Sequence, residues 1–135
     1  GLSKDSGWCP VDQHTFESTL VPGIHVIGDS SVAGALPKSG HTANNIGKMT
    51  AAAIVSLFHG TKPPLPSHVN TCYSLVGPEY GISIAAVYRL DADGQLAGIK
   101  GAGGLSPTEA PPLQRSQEAG YAQGWYKSIT ADSFG

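Results

Sequence analysis

The sequence predicts an α+β fold built from two consecutive parts, residues 1–68 and residues 69–135. In the first part, apolar residues recur at helical spacing over residues 42–59. In the second part, strand-like segments and a hairpin turn signal precede a helix, an order typical of a small antiparallel sheet packed against one helix. Three prolines between positions 61 and 67 separate the two patterns and stop the first helix.

Residues 19–29, with the sequence TLVPGIHVIGD, are the most informative segment of the first part, which is otherwise irregular up to residue 21. Residues 24–27 predict a short buried strand that follows a proline–glycine turn. Gly28 allows close packing at the end of this strand, and Asp29 comes just past its carboxyl end, where open α/β sheets bind ligands. A carboxylate there can accept hydrogen bonds from ribityl or ribose hydroxyls, which suits a flavin site. The alternative is a strand followed by an aspartate that caps a helix.

A loop of small residues over positions 30–41 leads into the helix predicted over residues 42–59. Either Ser39 or Thr42 can cap the start of this helix, and Gly60 can end it. Its apolar positions at helical spacing are Ile46, Met49, Ala53 and Leu57.

Four residues just before this helix are candidates for cofactor binding, because a helix N-terminus offers free N–H groups and a positive dipole end. They are Lys38, Ser39, Gly40 and His41. Lys38 would add a full positive charge, and its alternative is a solvated loop lysine. His41 is interpreted as a polar residue near the helix cap rather than a general base.

The second part is predicted to contain three strands and one helix. The expected elements are strands over residues 69–76, 81–90 and 95–99, a loop over residues 100–112 and a helix over residues 113–130. An Asp93-Gly94 pair marks the hairpin turn. The helix places Tyr121, Trp125 and Ile129 on one face, a pattern more typical of a buried core than of an electron path.

Composition excludes several classes of function. Only 13% of the residues are charged, so the surface suits coverage by other protein. A net charge of −2 without a Lys/Arg cluster argues against nucleic-acid binding. No apolar run is long enough for a membrane span. The five histidines lack a zinc-ligand spacing and there is no CxxC, so no metal site is predicted.

The sequence contains no glycine-rich dinucleotide fingerprint, which a flavoenzyme normally carries near its N-terminus for the pyrophosphate. The Gly-Asp segment without that fingerprint indicates the C-terminal part of a longer flavoprotein. The sequence also lacks a signal peptide.

The segments described so far resemble the C-terminal third of the flavin-binding subunit of flavocytochrome c sulfide dehydrogenase. The resemblance keeps its order along the whole chain. The similar strings are GWCPVD (7–12), TFEST (15–19), GIHVIGD (23–29), PKSGHTAN (37–44), NTCYS (70–74), EYGIS (79–83), GWY (124–126) and SFG (133–135).

This resemblance implies a parent flavoprotein of the glutathione reductase type, with two dinucleotide-binding domains and a C-terminal interface domain. The implied cofactor is FAD and the implied partner is a c-type cytochrome subunit in the periplasm. The implied reaction oxidises sulfide to sulfur or polysulfide and passes the electrons to haem. Residues 1–68 would then be the end of the FAD-binding domain, and residues 69–135 the interface domain.

The resemblance also implies roles for single residues. It matches Cys9 to one half of a redox-active disulfide beside the flavin, whose other cysteine lies in a part of the family sequence outside this chain. Cys72 is expected to be a buried structural thiol instead. The helix end at Ser39 and Gly40 would face the N1/O2 edge of the flavin, and Trp125 would lie near both flavin and cytochrome.

Two other functions remain open from the sequence. One is a sulfide:quinone oxidoreductase, although the last helix lacks the basic, leucine-rich face of a membrane-binding segment. The other is a non-enzymatic module that binds a partner protein. In either enzyme reading, the isolated chain is expected to be inactive.

Overall fold

Two helices and a three-stranded antiparallel sheet carry most of the regular structure in the computed structural model, which describes residues 1–3 and 5–135. This architecture confirms the predicted α+β class. The elements in chain order are β1 (Cys9–Pro10), a 3₁₀ turn (Gly28–Ser30), β2 (Ser31–Val32), α1 (Gly40–Phe58), β3 (Ser67–Gly77), β4 (Tyr80–Leu90), β5 (Leu96–Leu105) and α2 (Pro112–Phe134). Within the described residues, no helix combines the length and the apolar character that crossing a membrane requires.

Helix α1 spans Gly40–Phe58, so it begins two residues before the predicted start and uses Ser39, one of the two predicted caps. Ser39 is the N-cap, and its hydroxyl accepts the Thr42 amide N–H at 3.1 Å. Gly60 follows the last turn with a φ of +65°, a left-handed conformation that glycine adopts without strain. Ile46 is buried as predicted, but Leu57 is exposed and lines an open groove, so the buried face of the helix ends before the last turn.

The strand predicted over residues 24–27 is not formed. Only His25 makes a single β-bridge, and the side chains of Ile24 and Ile27 are 42% and 48% exposed. A strand needs a neighbour that can pair its main-chain groups. The segment beside it is a tight turn that holds Phe16 at a φ of +59°, so a ladder cannot continue there.

Two short parallel strands form in the first part, where the sequence predicts irregular chain. Strand β1 pairs with β2, so that Cys9 lies opposite Ser31 and Pro10 lies opposite Val32. The pairing places the turn around Cys9 beside the segment that follows the Gly-Asp motif.

The three main strands form one antiparallel sheet in the order β3-β4-β5. Strand β3 pairs with β4 along its length, from Ser67 opposite Arg89 to Gly77 opposite Tyr80. The turn between β4 and β5 is the predicted Asp-Gly turn, with Gly94 at a φ of +74°. The strand and hairpin predictions for this part are therefore confirmed.

Strand β5 continues to Leu105, whereas the sequence predicts a loop from residue 100 onwards. After an irregular step, the strand pairs again with β4, with Gly103 opposite Ala86. A Cβ atom at Gly103 would lie 2.2 Å from the carbonyl oxygen of Ala85, so only glycine fits this approach. Of the glycines that suggest a loop, Gly103 is thus required by close strand packing, while Gly101 and Gly104 have open space around them.

Helix α2 packs two alanines against the sheet and leaves Tyr121 and Tyr126 exposed, while Trp125 is half-buried. A Cβ atom at Gly81 of β4 would lie 2.4 Å from the main-chain nitrogen of Ala119. At such a distance only small side chains fit, and Ala119 and Ala122 are buried there. Tyr121 is 60% exposed, so the prediction of an aromatic core stripe is wrong.

The two parts of the chain share one hydrophobic core. Its buried members are Val11, Phe16, Leu36 and Ile46 from the first part and Leu96 from the second. Tyr88 and Leu90 of β4 pack against the same cluster. Because neither part encloses this core alone, the two are expected to unfold together.

His68 is the largest polar side chain at the centre of this packing, with no exposed surface. Its Nδ1 donates to the Asn45 side-chain oxygen at 2.6 Å, and its ring contacts the edge of Phe16. Its Nε2 has no hydrogen-bond partner in the described residues. Burial lowers the pKa of His68 below the ordinary histidine value, because a charged ring would lose its hydration.

We predict that stability falls as the pH drops below about 6.5, the pKa of an unfolded histidine. The pKa is lower in the folded state, so the contribution of His68 is complete above that pH and is lost towards the folded-state pKa. The slope for one proton is at most about 1.4 kcal/mol per pH unit. Urea unfolding between pH 5 and 7.5 measures this slope. His68→Gln should flatten it, while the exposed control His59→Gln should leave it unchanged. Equal slopes in all three proteins would contradict the prediction.

Candidate functional site

The N-terminus of α1 presents unpaired main-chain donors. Ser39 satisfies the Thr42 N–H, and the Ala43 N–H donates to the Ser39 carbonyl at 2.8 Å. The N–H groups of Gly40 and His41 have no acceptor among residues 1–3 and 5–135. With the positive end of the helix dipole, these two donors form a site for a negatively charged or carbonyl-rich group.

The Gly-Asp motif lies directly against this end of the helix. Gly28 has a φ of +68°, and a Cβ atom there would lie 3.4 Å from the Cβ of Ala43. Asp29 is exposed in the following 3₁₀ turn. Its carboxylate makes no hydrogen bond within the described part of the chain and is therefore free to accept one from a ligand hydroxyl.

Lys38 connects the Gly-Asp motif to the turn around Cys9. Its ammonium group donates to the main-chain carbonyl of Asp29 and, at 3.5 Å, to that of Ser31. The same group lies 3.8 Å above the centre of the Trp8 ring. Lys38 is therefore not a freely solvated loop lysine, and its charge is held in one place beside the motif.

A cavity of about 160 Å³ opens between these elements. Its lining includes Trp8, Gly28, Asp29, Lys38 and Thr42. Cys9 is half-buried one residue beyond Trp8 and carries a free thiol, but it does not line the cavity. The structure therefore brings together the Gly-Asp motif, Lys38 and the start of α1, with Cys9 at their margin.

His41 is oriented by strand β3. Its Nδ1 lies 3.0 Å from the main-chain nitrogen of Thr71 and 3.3 Å from the carbonyl oxygen of the same residue, so β3 fixes the position of the ring. The ring centre lies 6.1 Å from that of Trp125, which in turn lies 6.1 Å from that of Tyr73. Trp125 thus reaches the N-terminus of α1 and joins it to a second aromatic ring, that of Tyr73 on β3.

The last turn of α2 is attached to α1 by Asp132. Its carboxylate contacts the Lys48 ammonium at 2.6 Å and accepts from the Asn44 amide at 2.7 Å. These bonds, led by the one from Lys48, hold the pKa of Asp132 below its usual value. Because α2 carries Trp125, this attachment helps to keep Trp125 against His41.

The sequence alone misses three residues of this region: Thr42 as a lining residue, Tyr73 and Asn70. Asn70 is buried in the middle of β3, and its amide contacts both Ser39 and Thr42. A signal was available, because asparagine is depleted in strands and its presence there needs a reason. Tyr73 offers no such signal, since aromatic residues are common in strands. Across the described residues, no three His, Cys, Asp or Glu side chains are grouped so as to hold a metal ion.

We predict that Lys38→Met lowers the free energy of unfolding by about 0.5–1 kcal/mol, the value of an exposed cation–π contact. It should also shift the fluorescence emission of Trp8. Lys62 is an exposed lysine without such contacts in the described residues, so Lys62→Met is the matched control. Urea unfolding followed by tryptophan emission measures both. Identical curves for the two variants would show that the Lys38 contacts do not stabilise the turn.

A comparison with protein families identifies the group to which the chain is related. Residues 64–134 match the family described as flavocytochrome c sulphide dehydrogenase, flavin-binding. The matched segment is just over half of the chain and contains β3, β4, β5 and the whole of α2. The chain therefore belongs to the flavin-binding family of flavocytochrome c sulphide dehydrogenase, a family of flavoproteins.

Proposed function

We propose that this chain supplies the C-terminal part of an FAD site in a periplasmic flavoprotein that oxidises sulfide and passes the electrons to a c-type cytochrome subunit. The parent protein would be of the glutathione reductase type. The observation that carries the proposal is the meeting of Gly28 and Asp29 with the open N-terminus of α1, in a chain whose second part matches the family. The family name supports a flavin and a cytochrome partner.

The residues present suit one portion of a flavin. The free N–H groups of Gly40 and His41 can donate to the carbonyl-rich pyrimidine edge of the ring system. The free carboxylate of Asp29 can accept from ribityl hydroxyls. The cavity of about 160 Å³ is too small for a whole dinucleotide, so other parts of the parent protein would hold the remainder.

When bound, the flavin supplies a two-electron acceptor that can release the electrons one at a time. The protein groups prepare the site for the negative charge that reduction brings. The first turn of α1 offers its dipole and two donors, and Lys38 adds a cation held on the Asp29 carbonyl. These groups are oriented before any reaction and need no rearrangement.

Cys9 is proposed as one half of the disulfide that receives sulfide. Hydrosulfide attacks one sulfur, a new S–S bond forms, the old one breaks and the other sulfur leaves as a thiolate. Converting hydrosulfide to zero-valent sulfur releases one proton and two electrons, and a bound flavin would supply the acceptor for both electrons. Cys9 and Cys72 are both free thiols, and Cys72 contacts the Asn70 amide at 3.3 Å. The partner of Cys9 would therefore come from elsewhere in the parent protein, and the isolated chain would be inactive.

Trp125 is proposed to lie on the route from flavin to haem. It packs against His41 at the start of α1 and borders an apolar groove of about 430 Å³ with Tyr73, Leu75 and Tyr126. Leu75 and Tyr126 are exposed there, and a protein with so few charged residues gains from covering such a surface. A cytochrome subunit docked on this groove would lie next to Trp125.

We predict that Cys9→Ser in the flavin-loaded parent protein abolishes reduction of the flavin by sulfide, because the electrophilic disulfide cannot form. Loss of flavin absorbance after sulfide addition in a stopped-flow instrument measures this step. Cys72→Ser is the control, and sulfide should reduce its flavin at the normal rate. Full reduction of the flavin by sulfide in Cys9→Ser would refute the role of Cys9. If the absorption spectrum of the purified wild-type protein shows no flavin, the proposed cofactor is wrong.

We also predict that Gly28→Ala and Gly60→Ala cost similar stability but differ in flavin affinity. Both glycines have left-handed φ values, +68° and +65°, for which alanine costs about 1–2 kcal/mol. At Gly28 the strain falls on the Gly-Asp turn itself, and the new methyl would contact α1 at 3.4 Å from the Cβ of Ala43, whereas a methyl at Gly60 would contact nothing. Titration of the apoprotein of the parent with FAD should show about a tenfold weaker Kd for Gly28→Ala, or about 1.4 kcal/mol, and no change for Gly60→Ala. Equal FAD affinities of the two variants would show that the Gly-Asp motif is not part of the flavin site.

A further inference from the structure

We propose that Asn70 is a positioning residue for the flavin, which holds the first turn of α1 in the orientation that sets the flavin reduction potential. The inference rests on the proposed function, because it requires the flavin to lie at this helix N-terminus. Asn70 itself lies on β3, outside the cavity, and acts through Ser39 and Thr42.

The Asn70 amide is the centre of a buried polar network. Its oxygen accepts from the Ser39 hydroxyl at 2.6 Å and lies 3.1 Å from the Thr42 hydroxyl. Its nitrogen lies 3.3 Å from the sulfur of Cys72. Asn70 is only 4% exposed, so water does not compete for these bonds.

This network ties both hydroxyl groups to Asn70. The Ser39 and Thr42 hydroxyls lie 3.1 Å apart and each lies within hydrogen-bond distance of the Asn70 oxygen, while the Ser39 oxygen accepts the Thr42 N–H. The helix cap is thereby locked instead of being free to rotate. The adjacent Thr71 N–H holds His41 in the same turn. Strand β3 therefore fixes both sides of the turn that carries the free donors of Gly40 and His41.

A fixed turn affects the reduced flavin more than the oxidised flavin. Reduction places negative charge on the pyrimidine edge, and donors that are already oriented stabilise that charge without reorganisation. If the turn loosens, the donors are averaged over several orientations, and the reduced form loses more stabilisation than the oxidised form. Removal of Asn70 should therefore lower the reduction potential.

The first experiment is a double-mutant cycle on the flavin-loaded parent protein, with Ser39→Ala, Asn70→Ala and the double variant. Equilibration with a redox dye of known potential measures the flavin potential. We expect each single variant to disfavour reduction about tenfold, which is about 30 mV for a two-electron couple. The double variant should shift no further than the larger single effect, because both residues act through one bond.

The matched control is Asn45→Ala. Asn45 also joins α1 to β3, through a half-buried amide bonded to the buried His68, but it lies farther along the helix. The Asn45→Ala variant should lose folding stability without a shift in the flavin reduction potential. An Asn45→Ala shift as large as that of Asn70→Ala would mean that general loosening explains the effect, and would overturn the inference.

A second measurement needs no flavin. Hydrogen exchange of the Thr42 amide in the apoprotein should be about tenfold faster in Asn70→Ala, and a factor of ten corresponds to about 1.4 kcal/mol. In Asn45→Ala, the exchange rate of Thr42 should change only as much as the global stability of that variant does. Unchanged exchange in Asn70→Ala would overturn the inference. If Asn70→Ala does not fold, Asn70→Ser replaces it in both experiments, because the shorter serine side chain cannot reach both Ser39 and Thr42.

The outcomes separate the inference from the proposed function. If Ser39→Ala shifts the potential and Asn70→Ala does not, the role of Asn70 is wrong while the flavin site stands. If neither shifts the potential although Thr42 exchange accelerates in both, the helix end does not face the flavin, and the proposed site fails with the inference.

Discussion

Strand β3 holds helix α1 through side-chain and main-chain hydrogen bonds, and the arrangement of the candidate site depends on this attachment. His68 bonds to Asn45, Asn70 bonds to Ser39, and the Thr71 N–H bonds to His41. Buried hydrogen bonds are directional, so they specify the rotation and height of the helix more narrowly than apolar packing does. The start of α1 is therefore set by the part of the chain that carries the family match.

Several groups at this helix end make the local electrostatic potential positive, although only one of them carries a full charge. Lys38 and Asp29 line one cavity together with Thr42 in the first turn of α1, and the N–H groups of Gly40 and His41 lie at the same helix end. Lys38 is held by main-chain carbonyls and the Trp8 ring, so its position does not depend on a ligand. Preorganised donors of this kind are the usual way for a protein to stabilise charge that appears during a reaction.

Much of the remaining surface is apolar, and its distribution follows from one steric constraint. Helix α2 approaches β4 so closely at Gly81 that alanines face the sheet. Tyr121 and Tyr126 consequently lie on the outside, and Trp125 is left half-buried between His41 and Tyr73. A surface with these features and few charges is suited to contact with other protein, which agrees with a family named for a flavin–cytochrome complex.

The α+β class, the candidate caps of α1, the hairpin and the family could be predicted from the sequence, because caps, turn residues and motif strings are local signals. The packed structure was needed to show that residues 24–27 form no strand, that β5 extends to Leu105 and which face of α2 is buried. These outcomes depend on contacts between residues far apart in the chain, such as Gly81 with Ala119 and Gly103 with Ala85. For the site, Gly28, Asp29 and Lys38 were predictable from their motif, whereas the placement of Asn70 beneath Ser39 follows from the packing of β3 on α1.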